Sequence, residues 1–172
     1  MPDILVAKGI VKSFPVGKEK LVVLKGASLS VRQGEMIAIR GASGVGKSTF
    51  LHILGALDSP DEGSVQVNGV DITRLRDRQR AEFRNSAIGF VFQFYHLLAD
   101  FNLLENVLFP AKISGKLSGK NKSRLLNKAN QLLDLVGLGN RLKHKPGQLS
   151  GGEQQGAAIP SALLNQPRII LA

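Results

Sequence analysis

"GASGVGKST", residues 41–49, is the stretch that decides the fold of this chain. Gly41, four intervening residues, and then Gly46, Lys47 and Ser48 match the pattern of a phosphate-binding loop. The glycines let the backbone fold tightly, so that successive amide hydrogens point inward with the positive end of the following helix behind them. The loop is therefore expected to bind a polyanionic ligand.

Two side chains of this loop have an expected role of their own. The ammonium group of Lys47 is aimed at the outer phosphates, and the hydroxyl group of Ser48 can take one position on a magnesium ion. The predicted nucleotide-binding residues of the loop are Gly41, Ala42, Ser43, Gly44, Val45, Gly46, Lys47, Ser48 and Thr49.

The flanking segments have the required pattern. Residues 36–39 are apolar throughout, which predicts a short strand covered on both faces in a parallel sheet. Residues 48–57 contain no helix breaker before Gly55 and predict a helix. A loop between a buried strand and a helix is the context in which the phosphate-binding pattern is meaningful.

Further elements follow from periodicity and turn residues. Alternation predicts strands over residues 4–14 and 21–31, and a short strand at 64–67 ends at an Asn-Gly turn. A helix is expected at 77–84 and a buried strand at 88–92. Asn102 and Glu105 predict a capped helix start, with Pro110 as its stop.

A second helix in this region has apolar residues at helical spacing from 125 to 136, with Gly137 placed to end it, and residues 168–172 predict a final strand. Before that strand, residues 149–154 read "LSGGEQ". Ser150 can cap a helix and Glu153 can complete the capping box, while Gly151 and Gly152 leave the first turn bare. A bare, capped helix start is a second anion-binding surface, which suits a terminal phosphate.

With both motifs in place, the chain resembles the nucleotide-binding subunits of ABC transporters, whose signature sequence "LSGGEQ" is matched at six adjacent positions. The resemblance covers essentially the whole chain. It implies an α/β fold: a P-loop NTPase core with a mostly parallel sheet, an antiparallel β-subdomain and a helical subdomain. The implied division is a core with the β-subdomain at 1–92, the helical subdomain at 93–147, and the signature helix with the start of a further strand at 148–172.

The resemblance also implies ligands and partners. ATP and Mg²⁺ would bind with Phe14 stacked on adenine, although Phe14 could equally be an aromatic at the edge of the core. Gln93 would touch the magnesium site and position water. Two subunits would dock head to tail, with Ser150, Gly151, Gly152 and Glu153 of one closing on the loop at 41–49 of the other. Residues 92–110 resemble the lipoprotein-releasing (Lol-type) and macrolide-export branch, whose subunits drive a transmembrane permease.

Composition places the chain in the ordinary globular range, with 43% hydrophobic residues and no Cys. The sequence shows no apolar run long enough to cross a bilayer and no secretion signal, so a cytoplasmic location is expected. The resemblance to subunits that drive a permease implies that the chain lies peripherally on the inner face of the plasma membrane. The formal charge is +10, with basic clusters at 74–84 and 112–128. A solvated face is the favoured interpretation of both clusters, and no nucleic-acid partner is expected.

The sequence departs from the family pattern in two places. It ends at Ala172, before the Asp-Glu pair and the later histidine of the family, so the chain as given is expected to be incomplete at its C-terminus, to hydrolyse ATP poorly and to expose an apolar sheet edge. General-base catalysis alone is typically worth roughly 100- to 10,000-fold. Gly156 and Ser161 replace two arginines of the family, and Pro160 predicts a kink or early unwinding of the signature helix.

Three functions therefore remain open at this point. The first is a transport ATPase subunit, and the second is a non-hydrolytic nucleotide-binding remnant of such a subunit. The third is a DNA-repair or translation ATPase, which shares both motifs. It is the least favoured, because the basic clusters lack interleaved aromatic residues and the absence of Cys removes the zinc modules of repair relatives.

Overall fold

The computed structural model describes residues 2–92 and 96–172. The chain divides into two compact units, Met1–Arg84 and Asn85–Ala172, and the division falls within a helix. The three-part division at 1–92, 93–147 and 148–172 stays a prediction.

The first unit contains a four-stranded antiparallel sheet in the order β2-β1-β3-β4. Its strands are β1 (Asp3–Val16), β2 (Glu19–Arg32), β3 (Glu62–Val67) and β4 (Val70–Asp71). The strands predicted at 4–14 and 21–31 are confirmed as β1 and β2, and β1 contributes the buried Leu5, Ala7 and Ile10 to the core. The antiparallel part of the predicted fold is therefore present.

The turn between β3 and β4 is set by its two central residues. Asn68 has φ 50° and Gly69 has φ 78°, so both adopt the left-handed conformation that a tight two-residue hairpin requires. Asn and Gly are the residues that tolerate this conformation best. The Asn-Gly signal in the sequence therefore predicted the position of this turn correctly.

Two helices complete the first unit. Helix α1 (Lys47–Leu54) buries Phe50, Ile53 and Leu54 and ends at Gly55. Helix α2 (Asp77–Ala87) follows a short 3₁₀ helix at Ile72–Arg74 and continues into the second unit. Both α-helices lie where the sequence predicts them.

The predicted buried strand at 36–39 is wrong for this structure. These residues form no regular structure, and the side chain of Met36 is 97% exposed. A strand needs a neighbouring strand to supply its hydrogen bonds. Within residues 2–92 and 96–172, neither sheet includes a strand paired with this segment, so its apolar character is not matched by burial.

The second unit packs three helices around one apolar core. They are α3 (Leu103–Ile113), α4 (Lys120–Leu135) and α5 (Gly151–Leu163), with short 3₁₀ helices at Gly139–Arg141 and Pro146–Gln148. Strand β5 (Ile88–Phe90) pairs in parallel with β6 (Ile169–Leu171). The core residues from the helices and their connections are Leu103, Val107, Leu108, Ala111, Ala129, Leu133, Leu138, Leu149, Ala157 and Leu164.

The predicted starts and ends of these helices are mostly confirmed. Asn102 and Glu105 form a capping box at the start of α3, and Gly137, with φ 76°, follows the end of α4. Inside this unit, the amide group of the buried Asn106 donates to the carbonyl oxygens of Leu98, Phe101 and Asn102. Its Oδ1 atom accepts from the amide of Leu98, so this one side chain fixes the loop before α3.

Pro110 does not stop its helix as predicted, and Pro160 does not unwind the helix that contains it. Pro110 lies inside α3, which continues to Ile113, and Pro160 lies inside α5, which runs without a break to Leu163. A proline in a helix interior costs roughly 3 kcal/mol. Packing offsets this cost in both helices. In α3 the residue after the proline, Ala111, is fully buried, and in α5 Pro160 itself is fully buried. The early unwinding expected at 156–164 is therefore wrong, and the kink expected as its alternative stays a prediction.

None of the described helices combines the length and the apolar character that crossing a membrane would require.

Candidate nucleotide-binding site

The loop at 41–49 has the backbone conformation that its glycines predict. Gly44 has φ 81° and Gly46 has φ 96°, and Gly46 is the residue at the start of α1. The first hydrogen bond of α1 runs from the amide of Phe50 to the carbonyl oxygen of Gly46, at 2.8 Å. No side chain caps this helix and its first turn contains no acidic residue, so its leading amide groups are available to an anionic ligand.

Gly46 also lies where no side chain fits. A Cβ atom at this position would stand 2.8 Å from Cγ1 of Val23 and 2.9 Å from Cδ2 of Leu24, both in β2. The start of α1 is therefore packed directly against the antiparallel sheet of the same unit. Sequence reasoning assigned Gly46 to the loop but missed these partners, because nothing in the pattern of residues 41–49 identifies the strand beneath them.

The side chain of Lys47 folds back over the loop. Its Nζ atom donates to the carbonyl oxygens of Gly41 at 2.9 Å and Ala42 at 2.7 Å. Both acceptors belong to the loop itself, so the ammonium group lies over the space that the loop encloses. A phosphate oxygen can accept the same hydrogen bonds and adds a full negative charge, which makes it a stronger partner than a carbonyl group.

The residues around Lys47 fit a nucleotide with its magnesium ion. Ala42, Ser43, Gly44 and Val45 are exposed, as is Ser48, whereas Thr49 is half-buried. Among residues 2–92 and 96–172, no group of three His, Cys, Asp or Glu side chains could hold a metal ion on its own. Mg²⁺ usually keeps several waters and binds through substrate phosphates with one or two protein oxygens, so the hydroxyl group of Ser48 suffices as a protein ligand.

Phe14 lies near the end of β1, two residues after Lys12. Lys12 stands opposite Leu24 of β2, and a register shift separates this pair from the pair of Phe14 with Leu21. The Nζ atom of Lys12 lies 5.3 Å from the centroid of the Phe14 ring and pairs with Asp58 at 2.8 Å. The ring is 38% exposed. This exposure is compatible with stacking on a base, and the adenine role of Phe14 stays a prediction.

The signature residues form the capped helix start that the sequence predicts. The Ser150 Oγ atom accepts a hydrogen bond from the amide of Glu153 at 3.2 Å, and Oε2 of Glu153 accepts from the amide of Ser150 at 2.8 Å. Gly151 and Gly152 are exposed, with open space where a Cβ atom would stand. The first turn of α5 therefore presents bare backbone to solvent.

Arg141 supports this helix start and was missed by sequence reasoning. Its Nε atom donates to Oε1 of Glu153 at 2.9 Å, so each carboxylate oxygen of Glu153 has a different partner. The hydrogen bonds from Ser150, followed by the interaction with Arg141, lower the pKa of Glu153. Twelve residues separate Arg141 from Glu153, and only the fold of the second unit identifies the pair.

The predicted site residues fall into three groups. The loop at 41–49 and Phe14 belong to the first unit, and the signature residues 150–153 belong to the second. Gln93, predicted to position water and magnesium, lies outside the described residues. Closure of the signature residues on the loop of a second copy stays a prediction.

Comparison with known proteins agrees with both motifs. A family model described as ABC transporter matches residues 24–172. The chain is 50% identical over 172 residues to the lipoprotein-releasing system ATP-binding protein LolD of Geobacter metallireducens, covering all of this chain and 75% of that protein. It is 48% identical over 172 residues to LolD of Colwellia psychrerythraea, covering all of this chain and 65% of that protein.

Solved structures give the same result. The dimeric structure of MJ0796, a bacterial ABC transporter cassette, superposes with a TM-score of 0.89 at 38% identity, covering 98% of this chain and 72% of that one. A post-hydrolysis state of MJ0796 bound to ADP and Pi gives a TM-score of 0.86. The predicted fold class, a P-loop α/β cassette with an antiparallel sheet and helices, is confirmed. By sequence and by fold, this chain belongs to the ABC transporter family.

Proposed function

We propose that the chain is the ATP-binding subunit of an ABC transporter that releases or exports lipoproteins. In the proposed assembly, two copies dock head to tail and couple ATP binding and hydrolysis to a transmembrane permease. The chain spans between 65% and 75% of the length of the LolD proteins that it matches, so the activity of the assembly is part of the proposal.

A single observation carries the proposal: each unit has a helix start whose leading backbone amides are available to an anion. The helix after the loop has no side-chain cap, and the first turn of the signature helix has no side chains on its two glycines. In the first unit these amides belong to α1 after Gly46, and in the second to α5 after Ser150. Both are suited to phosphate groups. The similarity to LolD of Geobacter metallireducens supports lipoprotein release as the transported process.

ATP with Mg²⁺ fits the first unit through the residues already described. Lys47 would move from the carbonyl oxygens of Gly41 and Ala42 to the outer phosphates, and the α1 amides would donate to them. Ser48 would supply one oxygen to the magnesium ion, which neutralises phosphate charge when bound. Phe14 would stack on adenine, and Gln93 would position water and magnesium.

The same proposal places the chain in the cytoplasm, on the inner face of the plasma membrane, held there by the permease. The residues after Gln93 are the proposed contact surface for that partner. Neither nucleic acid nor insertion into the bilayer is part of this function.

Nucleotide binding is tested by titration calorimetry with MgATP. Lys47→Ala removes the charged donor and is expected to weaken ATP binding by roughly 10- to 100-fold, corresponding to about 1.5 to 3 kcal/mol for hydrogen bonds to charged groups. Lys18→Ala, at an exposed position in the turn between β1 and β2, is the matched control and should bind as the parent chain does. Equal affinity of the parent chain and the Lys47→Ala variant would refute the proposal.

Head-to-tail closure needs a separate experiment, because nucleotide could bind without it. Gly151→Asp places a carboxylate in the first turn of α5, where it favours the helix but repels the phosphate of a docked partner. Space for the side chain is available. MgATP-dependent dimerisation, followed by sedimentation velocity, should disappear in this variant and persist in Gly147→Asp, which adds the same charge in open space before the helix. An unchanged dimer in Gly151→Asp would contradict the docking.

A further inference from the structure

Lys12 of β1 carries an ammonium group that is largely removed from solvent. Its side chain is 13% exposed. The Nζ atom donates to Oδ1 of Asp58 at 2.8 Å and to the carbonyl oxygen of Ser59 at 2.7 Å. An ammonium group has three N–H donors, so these two hydrogen bonds leave one donor and fix the position of the charge. That position is determined by the segment that follows α1.

The segment with the two acceptors is attached to the end of α1. The amides of Leu57 and Asp58 donate to the carbonyl oxygen of His52, in the last turn of α1, at 2.8 and 3.3 Å. The amide of Ser59 donates at 2.7 Å to the same Oδ1 atom of Asp58 that accepts from Lys12. Lys12 is therefore tied through Asp58 to the helix that begins at the phosphate-binding loop.

The same ammonium group lies over the ring of Phe14. The Nζ atom of Lys12 is 5.3 Å from the centroid of this ring, within the distance of roughly 6 Å at which a cation is attracted to an aromatic face. The ring is 38% exposed, and a side chain with that exposure can move unless a neighbour holds it. Because Asp58 and Ser59 fix the cation, its attraction restrains the ring.

The pairing of β1 with β2 changes its register between the cation and the ring. Lys12 pairs with Leu24, whereas the pairs that lead to Phe14 are displaced by one residue, so the register passes over Val23. A displacement of this kind re-aims the side chains that follow it. Leu24 and Val23 also lie 2.9 and 2.8 Å from the Cβ position of Gly46, at the start of α1. The same part of β2 therefore supports both the phosphate-binding loop and the strand that carries the ring.

We propose that Lys12 is a positioning residue for the nucleobase: its anchored ammonium group holds the Phe14 ring in the orientation on which adenine stacks. Lys12 acts through the ring and not through contact with the nucleotide. A ring that is held before the base arrives does not have to be ordered on binding, and this removes an entropic cost. The inference rests on the adenine contact proposed for Phe14 and adds the residue that supports it.

A purely structural role of the pair between Lys12 and Asp58 predicts a different result. The pair connects β1 to the segment after α1, so its loss would disturb α1 and weaken the binding of phosphates with or without a base. A role through Phe14 affects only ligands that carry a base. Inorganic tripolyphosphate, which has the three phosphates of ATP without the base and the ribose, distinguishes the two roles.

The test is titration calorimetry of the whole chain with MgATP and with magnesium tripolyphosphate. Lys12→Met removes the charge from a side chain of similar length. It should weaken MgATP binding by roughly three- to tenfold and leave tripolyphosphate binding within about twofold of the parent chain. Lys8→Met removes the same charge from an exposed position of β1 and should leave both affinities unchanged. Equal losses for the two ligands in Lys12→Met, or no loss for either, would overturn the inference.

Phe14→Ala shows whether the inference or the adenine contact itself has failed. Loss of a stacked base costs roughly 5- to 100-fold in affinity, so this variant should weaken MgATP binding and leave tripolyphosphate binding unchanged. Adding Lys12→Met to Phe14→Ala should cause no further loss, because the ring through which Lys12 acts is gone. A further loss as large as in the parent chain would overturn the inference alone. An unchanged MgATP affinity in Phe14→Ala would contradict the adenine contact, and the inference would fail with it.

Discussion

Gly46→Ala is the substitution that tests most directly how the phosphate-binding loop is built. The structure attributes two separate costs to it. The new side chain must adopt a left-handed backbone conformation, with φ 96°, which costs roughly 1–2 kcal/mol for an L-residue. It must also displace Val23 and Leu24, since its Cβ atom would stand 2.8 and 2.9 Å from their methyl carbons, well inside the 3.5–4.0 Å optimum for carbon atoms.

Gly44→Ala is the matched control. Gly44 also has a positive φ, of 81°, but nothing lies within 4 Å of its Cβ position. This variant should therefore lose only the roughly 1–2 kcal/mol of backbone strain. Forced shifts in a packed interior cost roughly 1–3 kcal/mol more, so Gly46→Ala should lose about 2–5 kcal/mol.

The assay is native-state hydrogen exchange of the α1 amides, with the amide of Phe50 as the main probe because it donates to Gly46 itself. Exchange reports the free energy of local opening without requiring the two units to unfold together. Equal losses of protection in the two variants would refute the reasoning, because the packing of α1 against β2 would then contribute nothing. A larger loss for Gly44→Ala would refute it as well.

Three further predictions concern the second unit. Asn106→Ala leaves four hydrogen bonds to the preceding loop unmade and should cost roughly 3 kcal/mol, measured by urea unfolding and by exchange of the Leu98 amide; a loss below about 0.5 kcal/mol would contradict the role of Asn106. Because the pKa of Glu153 is lowered, its ionised carboxylate contributes fully to the stability of α5 at pH values above the ordinary titration range of glutamate, near pH 4. This contribution is lost as the pH falls through the lowered pKa. Arg141→Gln should raise this pKa in an NMR titration, and an unchanged pKa would show that the ion pair does not persist in solution. Gly156→Ala adds a methyl group with ordinary contacts inside α5 and should raise the unfolding free energy by about 1 kcal/mol, whereas a decrease would indicate a tighter site than the structure has.

The features that sequence predicts well here are those decided within a few residues. The Asn68-Gly69 turn requires two positive φ values, and the cap at Ser150 requires a hydroxyl group with a carboxylate three residues later. In each case the residue type and its spacing determine the local backbone. The conformation of the loop at 41–49 belongs to the same class, since Gly44 and Gly46 adopt the positive φ values that glycine permits.

Features decided by distant partners could not be read in this way. Arg141 contacts Glu153, which lies twelve residues later in the chain. Val23 lies beneath Gly46, although more than twenty residues separate the two in the sequence. No periodicity or motif encodes such pairs. The contacts that hold the phosphate loop and the signature helix in place are both long-range pairs of this kind. The sequence alone therefore could not predict how the candidate site is supported.

The wrong expectations about helices and strands share one physical origin, as the strand at 36–39 and the unwinding at Pro160 illustrate, since each treated a residue's intrinsic tendency as if it decided the structure. An apolar run at 36–39 indicates a preference for burial, yet Met36 is almost fully exposed, because the strand state needs a hydrogen-bonded neighbour. Pro160 carries a penalty of roughly 3 kcal/mol in a helix interior, yet its ring is fully buried and α5 continues past it. Packing decides both cases, in opposite directions: without a partner strand an apolar run stays irregular, and with enough buried surface a helix tolerates a proline.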